Sequence, residues 1–396
     1  MDCTEASKNL EAEVDLGEEK NGAGEFSSEV ECLIPVEELD IPHPAAFGKY
    51  SDIMPPPSKN HPAKFNVELV ERLIIRYTRE GDTILDPLAG TGILGVIAAL
   101  HGRNAVLVEI EEKYFAWITE ALQNLKKLAP LTWVIAIRGD ARHLSELLGG
   151  ASADIVITSP PYVNTKPFHD FEFMKQIAED QYTKRKSGVV KGHPGTPEAE
   201  KRRLTRIEAG IPENPKNISF LPYGRIDAVI TSPPYLKSAE RGGGINKQRP
   251  SDVKIGCSTI GRTDENPDAV DNLSEYGNLE ALRSENGQVE ALRAKLMTEG
   301  KPTYLSEMLK IYHEMFKVLR PGGLAAVIVR PFIREMKVVD LPYHTWILMS
   351  ACGFKLENVI KVRLKRVSFW RNLYERRHPE IPKIRHEYVI VARKTS

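Results

Sequence analysis

The stretch TILDPLAGTGILGVIAALHG, residues 83–102, decides how the chain folds. Its first residues have the length and apolar content of a short buried strand. The glycines at 90, 92 and 95 mark a turn, and ILGVIAAL continues as a helix that Gly102 closes. Outward from there, NAVLVEI (104–110) is a second strand. EKYFAWITEALQNLKKL (112–128) places Phe115, Ile118, Leu122 and Leu125 at helical spacing. WVIAIRGDAR (133–142) is a third strand, HLSELLG a short helix and DIVITSPPY (154–162) a fourth strand. Strand and helix in alternation predict a parallel sheet with helices on both faces.

The alternation returns at 303. TYLSEMLKIYHEMFKVL is a helix, Pro321-Gly322-Gly323 a sharp stop, and LAAVIVR (324–330) a strand. LPYHTWILMSACG (341–353) is a helix, and FKLENVIKVRLKRV (354–367) and HEYVIVARK (386–394) are two last strands. The expected sheet therefore has seven strands, four before a gap and three after it. Inside the gap, 163–302, KRKSGVVKGHPGTPEAEKRRL, RGGGINKQRP and STIGRTDENP are rich in glycine, proline and charge, with little periodicity. The near repeat LEALRSENGQVEALR (279–293) suggests one short amphipathic helix there. The expected organisation is an acidic arm over 1–40, a first half-domain over 41–162, an insertion over 163–302 on the sheet's ligand edge, and a second half-domain over 303–396.

Composition narrows the class of protein. Net charge is zero over 396 residues, yet residues 1–40 carry thirteen acids against two lysines and read as disordered. The last 36 residues carry eleven Lys and Arg against three acids, which invites a polyanionic partner or forms a solvated surface. No apolar run approaches a membrane span, and no apolar core of a signal peptide follows the first methionine. A cytoplasmic location is expected. The four cysteines (Cys3, Cys32, Cys257, Cys352) show no C-x-x-C pair, so unpaired thiols are expected and a zinc site is not.

Gly90-x-Gly92-x-x-Gly95, with Glu109 nineteen residues beyond Gly90, has the outline of a dinucleotide-binding turn. The glycines alone leave a nicotinamide dehydrogenase open. Asp86-Pro87 pulls away from it, because a carboxylate at the mouth of the turn repels a pyrophosphate and suits a cationic ligand group. The fourth strand also ends in Ser-Pro-Pro-Tyr, which has no part in hydride transfer. That ending occurs twice, as ADIVITSPPY (153–162) and IDAVITSPPY (226–235). The first copy follows the third strand after one short helix, the ordinary spacing for a fourth strand. The competing chain order makes 141–225 the insert and the second copy the fourth strand.

Taken together, His61-Pro62-Ala63-Lys64-Phe65, DPLAGTG, VEI, GDAR and TSPPY resemble the amino-methyltransferases of DNA, which methylate cytosine at N4 or adenine at N6. The resemblance runs closely over 61–162 and loosely over 303–396. The chain also resembles phage and prokaryotic methyltransferases that carry two TSPPY runs and a late stretch matching Ser368-Phe369-Trp370-Arg371, Tyr374 and His378-Pro379. The resemblance implies a Rossmann-like class I α/β fold and S-adenosyl-L-methionine as cofactor. It places Lys64, Phe65, Asp86, Pro87, Ala89, Gly90, Gly92, Glu109 and Asp140 around that cofactor. Asp86 and its turn would meet the methionine part, Glu109 the ribose and Asp140 the adenine.

The resemblance further implies methylation of an exocyclic base amine. Its lone pair is delocalised into the ring, so a site must accept hydrogen bonds from the NH₂. The Ser159 hydroxyl and the Pro160 carbonyl are two such acceptors, and Pro160 and Pro161 fix the backbone that aims them. Tyr162 offers a flat face for an extruded base. No metal is required. Ser232, Pro233, Pro234 and Tyr235 are the second candidate set. Serine in first position leans toward cytosine N4, with adenine N6, an RNA base amine and an inactive nucleic-acid module as alternatives. DNA is the expected partner, with a cognate restriction nuclease as a further one. Lys184, Arg185, Arg202 and Arg203 of the insert suit its backbone. Phe369, Trp370 and Arg371, in a late loop that interleaves aromatics with arginines, suit phosphates and unstacked bases.

Overall fold

The computed structural model describes residues 27–42, 47–61, 64–126, 128, 131–161, 212–224, 285–334, 337–363, 375 and 378–395. Among these residues ten strands form in chain order: β1 (Val36–Leu39), β2 (Thr83–Asp86), β3 (Asn104–Glu109), β4 (Val134–Arg138), β5 (Ala153–Thr158), β6 (Leu319–Val329), β7 (Phe332–Arg334), β8 (Lys337–Val339), β9 (Phe354–Arg363) and β10 (His386–Lys394). The helices are α1 (Val67–Tyr77), α2 (Ile93–Leu100), α3 (Glu112–Leu125), α4 (Leu144–Leu147), α5 (Glu285–Leu296), α6 (Tyr304–Val318) and α7 (Leu341–Ala351).

Eight strands make one sheet in the order β1-β9-β10-β6-β5-β2-β3-β4, and β7 and β8 pair as a separate hairpin. Within the large sheet β10 is antiparallel to both its neighbours, and every other pair is parallel. Alternation along the strands splits the core between two faces. Ile84, Ile155 and Ile157 point to the apolar cluster of α1, α2 and α3. Leu85 and Val156 point to the cluster of α6 and α7 on the other face. The chain runs outward from β2 through β3 to β4, then returns to lay β5 on the other side of β2. That reversal opens a crevice beyond the carboxyl ends of β2 and β5.

The seven expected strands are all present, and β1 is an eighth. The disordered acidic arm expected over 1–40 is thereby corrected for residues 27–40. Val30 is fully buried, and Glu31 accepts hydrogen bonds from Lys361 Nζ at 2.9 Å and the Tyr388 hydroxyl at 2.5 Å. Asp340, which caps α7, accepts from Ser28 Oγ at 2.6 Å and Glu29 N at 2.8 Å. Acidic residues that read locally as solvated are thus the anchors of the segment. The sharp stop expected at Pro321-Gly322-Gly323 is instead an irregularity inside β6, whose register against β5 passes from Ala153↔Leu319 to Ile155↔Leu324. Among the described residues Cys352 is a free, buried thiol. No helix among the described residues is long and apolar enough to cross a membrane.

The pin at Glu31 is testable. Burial raises its pKa, but the bonds from Tyr388 and Lys361 outweigh that and hold it below the ordinary 4.5. A lowered carboxylate stabilises the fold above its unfolded pKa and loses that contribution as pH falls through the folded value. Glu31→Ala leaves the Tyr388 hydroxyl and the Lys361 ammonium short of an acceptor. Urea unfolding at pH 7 is expected to show a loss of about 2–4 kcal/mol, shrinking toward zero in acid.

Candidate functional site

The crevice is built on the turn between β2 and α2. Gly90 and Gly92 take left-handed backbone angles, φ 53° and 76°. A side-chain carbon added at Gly92 would fall 2.7 Å from Ile118 Cγ1 of α3, so the turn tolerates only glycine there. Added at Gly90, it would stand 3.1 Å from His61 Nε2. The loop is held from β3. Ala89 N donates to Val108 O at 3.0 Å, and Gly90 N donates to the Glu109 carboxylate at 2.6 Å. Glu109 also accepts from Glu111 N at 2.8 Å. Burial pushes the Glu109 carboxyl up to about 8, against the pull of those two amides.

Asp86, the last residue of β2, is fully buried. Its Oδ1 accepts from Thr158 Oγ1 at 2.8 Å and from Leu88 N at 3.1 Å. Its Oδ2 is buried with no hydrogen-bond partner among the described residues. Burial raises its pKa to about 7, the bonds from Thr158 and Leu88 opposing the rise. A carboxylate oxygen left open beside a glycine turn suits a cationic ligand group. Thr158, also fully buried, ends β5, which lies between β2 and β6. Ser159, Pro160 and Pro161 therefore begin one residue from the bond to Asp86, with Pro160 buried. Tyr162 and the whole second copy, Ser232, Pro233, Pro234 and Tyr235, lie outside the described residues.

The remaining candidates divide. Asp86, Pro87, Ala89, Gly90, Gly92 and Glu109 gather at the crevice. Asp140 lies two residues beyond the end of β4, but Arg142 holds its carboxylate, with Nη2–Oδ2 at 2.6 Å and Nε–Oδ1 at 2.9 Å. Burial works against ionisation there, and the Arg142 bonds outweigh it and lower the pKa. Arg142 also reaches the buried Glu307 of α6 at 2.6 Å. Lys64 turns its ammonium to the carbonyls of Lys59 and His61, at 3.0 and 2.7 Å, and Phe65 packs against the α1–α2 cluster. In that segment His61 reaches the turn. Its ring meets Tyr114 edge-on at 4.4 Å, and Tyr114 meets Trp117 at 5.1 Å.

Thr158, His61, Tyr114 and Arg142 therefore contact the candidate residues or their turn, although sequence reasoning gave none of them a role of its own. Thr158 had a signal, since both motif copies carry threonine before Ser-Pro-Pro-Tyr. The nucleic-acid candidates Lys184, Arg185, Arg202, Arg203, Phe369, Trp370 and Arg371 lie outside the described residues.

Residues 38–120, which span the glycine turn and Glu109, match the family model described as DNA methylase. A type II methyltransferase of Streptococcus pneumoniae, M2.DpnII, is 43% identical over 54 residues, 14% of this chain and 20% of that protein. The tRNA (guanine(10)-N2)-dimethyltransferase of Pyrococcus abyssi is 29% identical over 116 residues, 29% of this chain and 34% of that protein. The DNA adenine methyltransferase YhdJ of Escherichia coli is 36% identical over 56 residues, 14% of this chain and 19% of that protein. The chain thus matches only 19% to 34% of the length of these relatives.

The strain stored at Asp86 has a sign. Its unfolded carboxyl ionises near 3.8 and its folded one near 7, so the fold loses stability as pH rises between those values. Asp86→Asn keeps an acceptor for Thr158 and Leu88 without the buried charge. Urea unfolding at pH 5 and pH 8 is expected to show the ligand-free wild type weakening by a few kcal/mol, roughly, and the variant by clearly less.

Proposed function

We propose that this chain is a methyltransferase that uses S-adenosyl-L-methionine to methylate an exocyclic amino group of a base in DNA, with cytosine N4 as the target. The cofactor, S-adenosyl-L-methionine, supplies an electrophilic methyl group on a sulfonium when bound. The described residues fit it. The open Oδ2 of buried Asp86 is an acceptor for the ammonium of its methionine part. The turn at Gly90 and Gly92 lets main chain approach it, and Glu109 has lone pairs left for ribose hydroxyls. Since Arg142 occupies the Asp140 carboxylate, the main chain of the 140–141 turn is the better candidate for the adenine edge.

The observation that carries the proposal is the Thr158–Asp86 bond, because it ties the Ser-Pro-Pro motif to the cofactor turn. Ser159 Oγ and Pro160 O then accept from the target amine and draw its lone pair out of conjugation. Pro161 holds the backbone rigid, and Tyr162 stacks on the extruded base. The chain's contribution to rate is positioning and fixed dipoles. The basic residues Lys184, Arg185, Arg202 and Arg203 bind the DNA backbone, and Phe369, Trp370 and Arg371 bind unstacked bases and phosphates. Adenine N6 is the second reading, supported by the relative in Escherichia coli whose name specifies adenine.

Transfer of tritiated methyl groups from S-adenosyl-L-methionine to DNA and to RNA, followed by nucleoside analysis, tests the proposal. N4-methylcytosine in DNA is expected, and N6-methyladenine would move the target to the second reading. Product only in RNA would overturn the DNA assignment. Ser159→Ala should lower transfer about 100-fold and Ser232→Ala should spare it; the reverse pattern would assign catalysis to the second copy.

A further inference from the structure

Glu111 lies two residues beyond Glu109 and is 1% exposed. Its carboxylate accepts three hydrogen bonds, all from a segment about a hundred residues away: Glu213 N at 3.0 Å, Asn214 N at 2.9 Å and Asn217 Nδ2 at 2.7 Å. The same segment returns a bond to the next carbonyl, Asn214 Nδ2 to Ile110 O at 2.9 Å. From this clasp, residues 212–224 run along the carboxyl edge of the sheet. Lys216 O accepts from Arg142, which holds Asp140. Pro222 O and Tyr223 O then accept from Tyr304 N and Leu305 N at the start of α6, at 2.7 and 3.2 Å. Ile218 and Tyr223 are buried along the way.

Residues 109–111 thus have two sets of partners. The Glu111 side chain holds the distant segment. The Glu111 amide holds the Glu109 carboxylate, whose other oxygen holds Gly90 N. A carboxylate that accepts several N–H groups in a dry site is a strong and directional anchor. Undocking the segment would take three donors from Glu111, and the backbone nearest to that loss is the one that fixes Glu109.

We propose that residues 212–224 form the outer wall of the cofactor crevice and that Glu111 is a positioning residue, coupling the docking of this wall to the geometry of the Gly90 turn. The coupling stands on the structure alone, whereas naming the ligand as an adenosyl group rests on the proposed function. Asn217 is the place to break it. Asn217→Asp keeps the acceptor that caps Ser219 N, at 3.0 Å, but sets a carboxylate against Glu111. Combining it with Glu111→Gln restores one donor between the two positions, the amide at 111 donating to the carboxylate at 217.

Hydrogen exchange in the full chain without ligand, and calorimetric titration with S-adenosylhomocysteine, read the two halves separately. Asn217→Asp should speed exchange at Glu213, Asn214 and Gly90 together, about tenfold, and weaken binding to a similar extent. The pair Glu111→Gln with Asn217→Asp should recover most of both. Faster exchange at 213–214 with an unchanged Gly90 amide and unchanged affinity would reduce the clasp to a local anchor and overturn the proposal. So would a double variant no better than either single one. Should exchange at Gly90 respond while even the wild type fails to bind S-adenosylhomocysteine, the coupling holds and the ligand assignment falls.

Discussion

A hydroxyl at the end of one strand holds a carboxylate at the end of its neighbour, and the site depends on that contact. Thr158 and Asp86 are both fully buried, 2.8 Å apart, at the point where the order of strands reverses. Moving a carboxylate out of water is unfavourable unless donors replace the lost hydration. Thr158 and the Leu88 amide supply them for one oxygen only. The threonine hydroxyl therefore stabilises the acid, fixes the end of β5, and leaves the second oxygen available. Ser159 and Pro160 inherit their position from it.

Three acids at the sheet's carboxyl edge are treated differently by their surroundings. Burial raises Asp86 to about 7 and Glu109 to about 8, while Arg142 lowers Asp140. The first two are the groups that a cationic or hydroxyl-bearing ligand would satisfy, and they are destabilising without one. The third is satisfied internally and serves the packing of α6 through Glu307. Functional sites commonly carry strain of this kind, which the rest of the fold tolerates.

Much of this was legible in the amino-acid pattern. The turn at 83–102, the succession of the first four inner strands along the chain and the strand that leads into the first Ser-Pro-Pro motif all follow from local periodicity and glycine, although that strand, β5, ends at Thr158. What escaped was set by distance along the chain. β1 pairs with β9 more than three hundred residues away, and Glu31 meets Tyr388 across 357 positions. A local count of acids therefore reads as disorder where the fold makes an anchor. His61 over Gly90 and Glu111 beneath 213–217 escaped for the same reason, since neither contact leaves a periodic trace.

The link between β5 and the turn is tested most directly by Thr158→Val, which keeps the shape and removes the hydroxyl, beside Thr158→Ser, which keeps the hydroxyl. Calorimetric affinity for S-adenosyl-L-methionine is the measurement. The account predicts a loss of about tenfold or more for valine and near wild-type affinity for serine. Equal affinities in all three proteins would contradict it.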